Sequence, residues 1–115
     1  MARSDRTLTD ADNGKTVSLR VGDGLVLHLY ENATTGYRWV FEDPGEKLVT
    51  VHDDGYVRQP KAVGGGGLMQ WTLHAKAAGK TQIKLKRLRR WEGESSAREG
   101  FAVSLIIRPS KVAGR

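Results

Sequence analysis

At 115 residues, with 19 Lys and Arg against 13 Asp and Glu for a formal charge of +6, the chain is a single domain able to bury roughly two thirds of the surface it exposes when unfolded. It contains no cysteine, which excludes disulfides, thiolate nucleophiles and cysteine-ligated zinc. The basic balance suits a nucleic acid, an anionic membrane surface or an acidic protein, and by itself selects none of them.

Residues 1–14 are polar, end in the turn signal Asp12-Asn13-Gly14 and read as a flexible lead-in. No apolar run follows Met1 to Arg6, so no secretory signal and no bilayer-inserting segment is read. The compartment stays open: periplasmic or secreted if a leader has been removed, cytoplasmic otherwise. Val17, Leu19 and Val21 then alternate with polar residues, and after Gly22-Asp23-Gly24 the residues Leu25, Leu27 and Leu29 share a face, a pair that reads as a hairpin. Tyr37, Trp39 and Phe41 line the next strand up to the turn residues Asp43-Pro44-Gly45, with Trp39 as the natural core tryptophan.

Leu48 to Val51 and Tyr56-Val57 read as a strand broken at Asp53-Asp54-Gly55, and Met69, Trp71 and Leu73 as its successor, ending at Ala77-Ala78-Gly79-Lys80. Ile83 and Leu85 point inward, but Leu88 breaks their parity, which predicts a β-bulge near Lys86-Arg87. Phe101, Val103, Leu105 and Ile107 mark the last strand, and 109–115 a flexible tail. No stretch carries a sustained helical period. The fold class is all-β: an immunoglobulin-like antiparallel β-sandwich of about 7–8 strands over residues 15–108.

If the strands run up and down, plain turns at 22–24, 43–46 and 77–80 occupy one end, and longer links at 31–36, 58–67 and 91–100 the other. The longer links carry the unusual chemistry: Asn32-Ala33-Thr34-Thr35-Gly36-Tyr37, the run Gly64-Gly65-Gly66-Gly67, and Arg89-Arg90-Trp91. Unusual loops gathered on one edge of a rigid scaffold are how a binding surface is commonly built. Gly36 supplies a positive φ, and the β-branched threonines before it stiffen a narrow tip that exposes backbone. The glycine run is either a flexible connector or a place where another backbone approaches closely; a phosphate cradle is excluded because Leu68-Met69 follow instead of Lys-Ser/Thr. Trp91, with Arg89 and Arg90, is either an exposed aromatic anchor or a ring folded onto a solvated strand face.

At these loops the sequence resembles the chagasin family of cysteine-peptidase inhibitors, whose pattern is an Asn-Pro-Thr-Thr-Gly-aromatic loop, a Gly-x-Gly-Gly loop and an Arg-Pro-Trp loop. Asn32, Thr34, Thr35, Gly36 and Tyr37 match the first, Gly64, Gly66 and Gly67 the second, and Arg89 and Trp91 the third; Trp39, Phe41, Ala77-Ala78-Gly79 and the strand from Phe101 agree as well. Ala33 and Arg90 stand where the family has proline, which removes stiffness worth roughly 0.4–1 kcal/mol per loop.

The resemblance implies a non-enzymatic, reversible, competitive inhibitor that blocks the cleft of a papain-like cysteine peptidase. Its expected peptidase-binding residues are Asn32, Thr34, Thr35, Gly36, Tyr37, Gly64, Gly65, Gly66, Gly67, Arg89, Arg90 and Trp91. No catalytic residue, metal, cofactor or small-molecule substrate is implied, and a monomer is expected. His28, His52 and His74 are dispersed, Asp53-Asp54-Gly55 lacks the later ligands of a calcium loop, and no serine has an organised histidine and carboxylate. The competing reading is a basic β-sandwich adaptor that binds nucleic acid or an acidic surface through the stripe Lys84, Lys86, Arg87, Arg89 and Arg90 around Trp91, residues 84–91. Nucleic acid is the less favoured partner, since no RNA-binding motif accompanies the stripe.

Overall fold

The structure is a computed structural model and describes residues 6–31, 36–43, 45–58, 66–89 and 98–110. Within them the strands are β1 (Arg6–Leu8), β2 (Thr16–Arg20), β3 (Gly24–Glu31), β4 (Tyr37–Asp43), β5 (Val49–Arg58), β6 (Gly67–Ala75), β7 (Gly79–Arg89) and β8 (Arg98–Arg108). They form two four-stranded sheets, ordered β1-β3-β6-β5 and β2-β8-β7-β4.

Alternation decides which side chains meet between the sheets. Leu25, Leu27, Leu29, Val49, Met69, Trp71 and Leu73 from the first sheet face Val17, Leu19, Ile83, Leu85, Phe101, Val103, Leu105 and Ile107 from the second, all buried in one cluster. Phe41 crosses the gap to Trp71 edge to face, with ring centroids 5.9 Å apart, an arrangement that adds about 0.5–1.5 kcal/mol to the burial itself. The core tryptophan is therefore Trp71, at 3 % exposure. Trp39, expected in that role, is only partly buried and lies against the edge of the core; its indole N–H donates to the Tyr30 carbonyl at 2.9 Å.

Three expectations about the strands change. The two N-terminal strands pair in parallel, β1 with β3 and β2 with β8, so the sheets are mixed, not purely antiparallel. The expected hairpin around Gly22-Asp23-Gly24 is a crossing between sheets, because β2 and β3 belong to different ones; period two finds strands but not their neighbours. Nor is the lead-in loose over residues 6–14. Leu8 joins the core, Thr9 and Asp12 cap a short 3-10 turn over Asp10–Asp12, and Asn13 Oδ1 accepts from the Ala102 N–H at 2.8 Å.

The parity break at Leu88 matches a register shift between Lys86 and Arg87 against β8. At Asp53-Asp54-Gly55 the strand is not broken: Asp53 pairs with Trp71 and Gly55 with Gln70, leaving Asp54 as the extra residue of a bulge. That residue is used. The Asp54 carboxylate accepts from Thr72 Oγ1 at 2.5 Å and Gln70 Nε2 at 2.9 Å, and lies 2.9 Å from His52 Nδ1.

These contacts, that of Thr72 first, hold the Asp54 carboxyl down at about 2 against an ordinary 3.8. A carboxyl depressed on folding contributes stability that is complete above about pH 4 and lost as the pH falls through about 2. Asp54→Asn is accordingly expected to be less stable than the native chain at neutral pH and to converge with it near pH 2. Urea unfolding at the two pH values measures the difference.

Candidate functional site

The two ends of the sandwich are built differently. At one pole the short connections bind each other: Gly22 N–H donates to Ala75 O and Ala75 N–H to Asp23 O, while Lys76 N–H donates to Leu48 O. The connections β2-β3, β4-β5 and β6-β7 are thereby held together.

At the other pole lie the bases of the three long links. Glu31, the last residue of β3, pairs with Gly67, the first of β6, and Leu68 pairs with Arg58, the last of β5. In the second sheet Tyr37, the first residue of β4, pairs with Arg89, the last of β7, and Arg87 pairs with Arg98, the first of β8. Of the expected contact residues, Gly36, Tyr37, Gly66, Gly67 and Arg89 fall at this pole. Asn32, Thr34, Thr35, Gly64, Gly65, Arg90 and Trp91 lie outside the described residues.

One buried carboxylate ties the sheets together here. Glu31 is 1 % exposed; its Oε1 accepts from the Trp39 N–H at 2.9 Å, and its Oε2 accepts from Arg38 Nε at 2.8 Å and from the Tyr56 hydroxyl at 2.7 Å. It thus joins β3 and β5 of one sheet to β4 of the other. A charge this buried persists only with such partners. Tyr56 feels the same node, its hydroxyl pushed up to about 12 by burial first and by Glu31 second. Glu31 stands at the start of the link to Gly36 and fixes where that link begins.

Gly36 adopts φ 84°, a conformation that a β-carbon penalises by about 1–2 kcal/mol, so the chain re-enters β4 through a turn that favours glycine. Tyr37, expected among the contact residues, is buried, and the Arg89 guanidinium lies over its ring at 4.5 Å from the centroid. The pair supports the pole from beneath. Gly66 sits against the Tyr30 ring so closely that a β-carbon there would fall within 2.0–2.2 Å of the ring and hydroxyl atoms.

The basic stripe is split by its own bulge. Lys84 and Lys86 alternate with the buried Leu85, but past the register shift Arg87 lies over the Trp39 ring, 5.6 Å from its centroid, as Arg89 does over Tyr37. Two of its arginines thus cover aromatic rings of the scaffold. Two of the histidines are engaged by other side chains: His28 Nε2 is 2.8 Å from Gln70 Oε1, and His52 Nδ1 is 2.9 Å from Asp54 Oδ1. Among the described residues no group of His, Asp and Glu is placed to hold a metal.

Sequence reasoning passed over Glu31 and Tyr30. The signal for Glu31 was present, since 31 continues the inward series 25, 27, 29, and an acidic residue in an apolar phase requires a buried partner.

The sequence profile of the Chagasin family peptidase inhibitor I42 matches residues 18–105. The chain belongs to the chagasin family of peptidase inhibitors. It is 35 % identical over 103 residues to chagasin of Trypanosoma cruzi, an alignment that covers 85 % of this chain and 94 % of that one. Among solved structures it is similar to the cysteine protease inhibitor EhICP2 from Entamoeba histolytica, with TM-score 0.77 and 25 % identity, covering 90 % of this chain and 95 % of the other. The solution structure of amebosin gives TM-score 0.71 and 26 % identity over 91 % and 99 %. The chagasin-family match runs from β2 into β8 and so includes all three links whose bases lie at the pole.

Proposed function

We propose that the chain inhibits papain-like cysteine peptidases reversibly and without covalent chemistry, by lodging the three loops of the Glu31 pole in the active-site cleft. The observation that carries this reading is the gathering of the three loop bases at one end of the sandwich, tied across the sheets by a single buried carboxylate. By the family pattern, the Thr34-Thr35-Gly36 tip sits over the catalytic cysteine, the glycine run Gly64 to Gly67 follows the non-primed side, and Arg89-Arg90-Trp91 covers the primed side.

Such a wedge blocks substrate by occupancy. A standard interface buries about 800 Å² per partner, and nanomolar binding corresponds to about 12 kcal/mol. The backbone presented by glycines and the threonine tip makes strand-like hydrogen bonds along the groove, while a tip without a long side chain offers the peptidase little to grip as substrate.

The deciding experiment titrates the protein into papain with a fluorogenic peptide substrate, with trypsin as the specificity control. Competitive, reversible loss of papain activity alone is the expected result. It should vary little between about 50 and 200 mM salt, a range over which a binder of polyanions loses orders of magnitude. Full activity of several papain-like peptidases at micromolar protein would overturn the reading.

A further inference from the structure

The outer face of the first sheet changes character toward the loop pole. Along its middle, His28, Gln70, Thr72, His52 and Asp54 form a polar field of linked side chains. At the pole, Tyr30 and Val57 are exposed at 49 % and 48 %, and the half-buried Leu68 is the register partner of both Tyr30 and Arg58. Directly opposed residues of an antiparallel pair share a face, so Tyr30 and Leu68 form an apolar shoulder beneath the loops.

A single exposed hydrophobe needs no explanation, but this one is seated with care. The Tyr30 ring occupies the space that a side chain at Gly66 would need. Its carbonyl accepts from the Trp39 indole, and the next residue is the buried Glu31. The ring is therefore held at the pole end of β3, against Gly66 and still half open to solvent.

We propose that Tyr30 is a further peptidase-contacting residue, which carries the inhibitory surface off the loop tips onto the first sheet and packs against the cleft rim beside the glycine run. The proposal rests on the peptidase reading above, and the occupant is the same peptidase, because the shoulder is continuous with the loop bases. An aromatic with two side-chain torsions, already fixed by its neighbours, loses little freedom on binding and is the kind of residue that concentrates binding energy.

The test measures inhibition of papain by the native chain, Tyr30→Ala, Tyr30→Phe and His28→Ala, together with hydroxyl-radical labelling of Tyr30 in the free protein and in the complex. Expected are an inhibition constant about tenfold higher or more for Tyr30→Ala, near-native values for Tyr30→Phe and His28→Ala, and protection of Tyr30 in the complex. Undiminished inhibition by Tyr30→Ala, an equal loss in His28→Ala, or labelling of Tyr30 that binding leaves unchanged would each overturn it. The labelling uses the native protein, so it decides even if a variant folds poorly. Failure of the native chain to inhibit any papain-like peptidase would instead sink the reading beneath the proposal.

Discussion

Glu31→Ala is expected to destabilise the fold by about 2–4 kcal/mol, a drop in melting temperature on the order of 10 °C. The substitution deletes a carboxylate that accepts three hydrogen bonds and leaves the Trp39 N–H and the Tyr56 hydroxyl without the acceptor they were folded around. The Arg38 side chain is 48 % exposed and can turn to water, which keeps the cost below that of breaking a fully buried pair. Inhibition is expected to suffer as well, since β3 and β4 then no longer hold the two ends of the threonine loop in register. Glu31→Gln should fall between, because an amide reproduces some of the acceptor geometry without the charge. Urea unfolding and papain inhibition measure these effects, and an alkaline absorbance titration adds an independent sign. With the carboxylate gone, Tyr56 should ionise below its native value of about 12, while burial, the larger cause, keeps it above the ordinary tyrosine range.

Trp91→Ala is expected to raise the inhibition constant by at least about thirtyfold, equivalent to about 2 kcal/mol. In a wedge made largely of backbone and small side chains, one indole offers by far the largest apolar area. An aromatic of this size buries 150–250 Å², on the order of 5 kcal/mol of gross transfer energy before ordering and desolvation are subtracted. The measurement pairs papain inhibition with circular dichroism and thermal unfolding. An unchanged inhibition constant with an intact fold would remove Trp91 from the contact surface.

Much of this architecture is legible in the chain because period two is a strong signal. Leu25, Leu27 and Leu29, or Phe101, Val103, Leu105 and Ile107, announce both the strand and its buried face, and Leu88 announces the bulge by breaking step. What alternation does not carry is partnership. Nothing local tells Val17 and Leu19 that their neighbour is β8 and not β3, and Trp39 and Trp71 sit in strands of similar pattern although only one fills the centre. Residues 6–14 passed as a lead-in because one leucine, Leu8, is too little to set a period. The candidate site divides the same way. Its glycines and its threonine tip were visible as motifs, whereas Glu31 and Tyr30 acquire meaning only from what lies across the sheet.

The parallel seam between β2 and β8 has a consequence for assembly. Residues Thr16 to Arg20 have a single sheet neighbour, and it is Ser104 to Arg108 at the far end of the described chain. Every strand of the other layer is drawn from residues 6–75, so that layer has all its members before this seam can shut. Closing the seam spans most of the polypeptide, a loop whose entropy must be lost before any contact rewards it, which places it among the late and slow events of folding. Trimming back from Arg108 would therefore cost twice over, stripping an interior ribbon of its layer and stranding the edge ribbon that has no other neighbour.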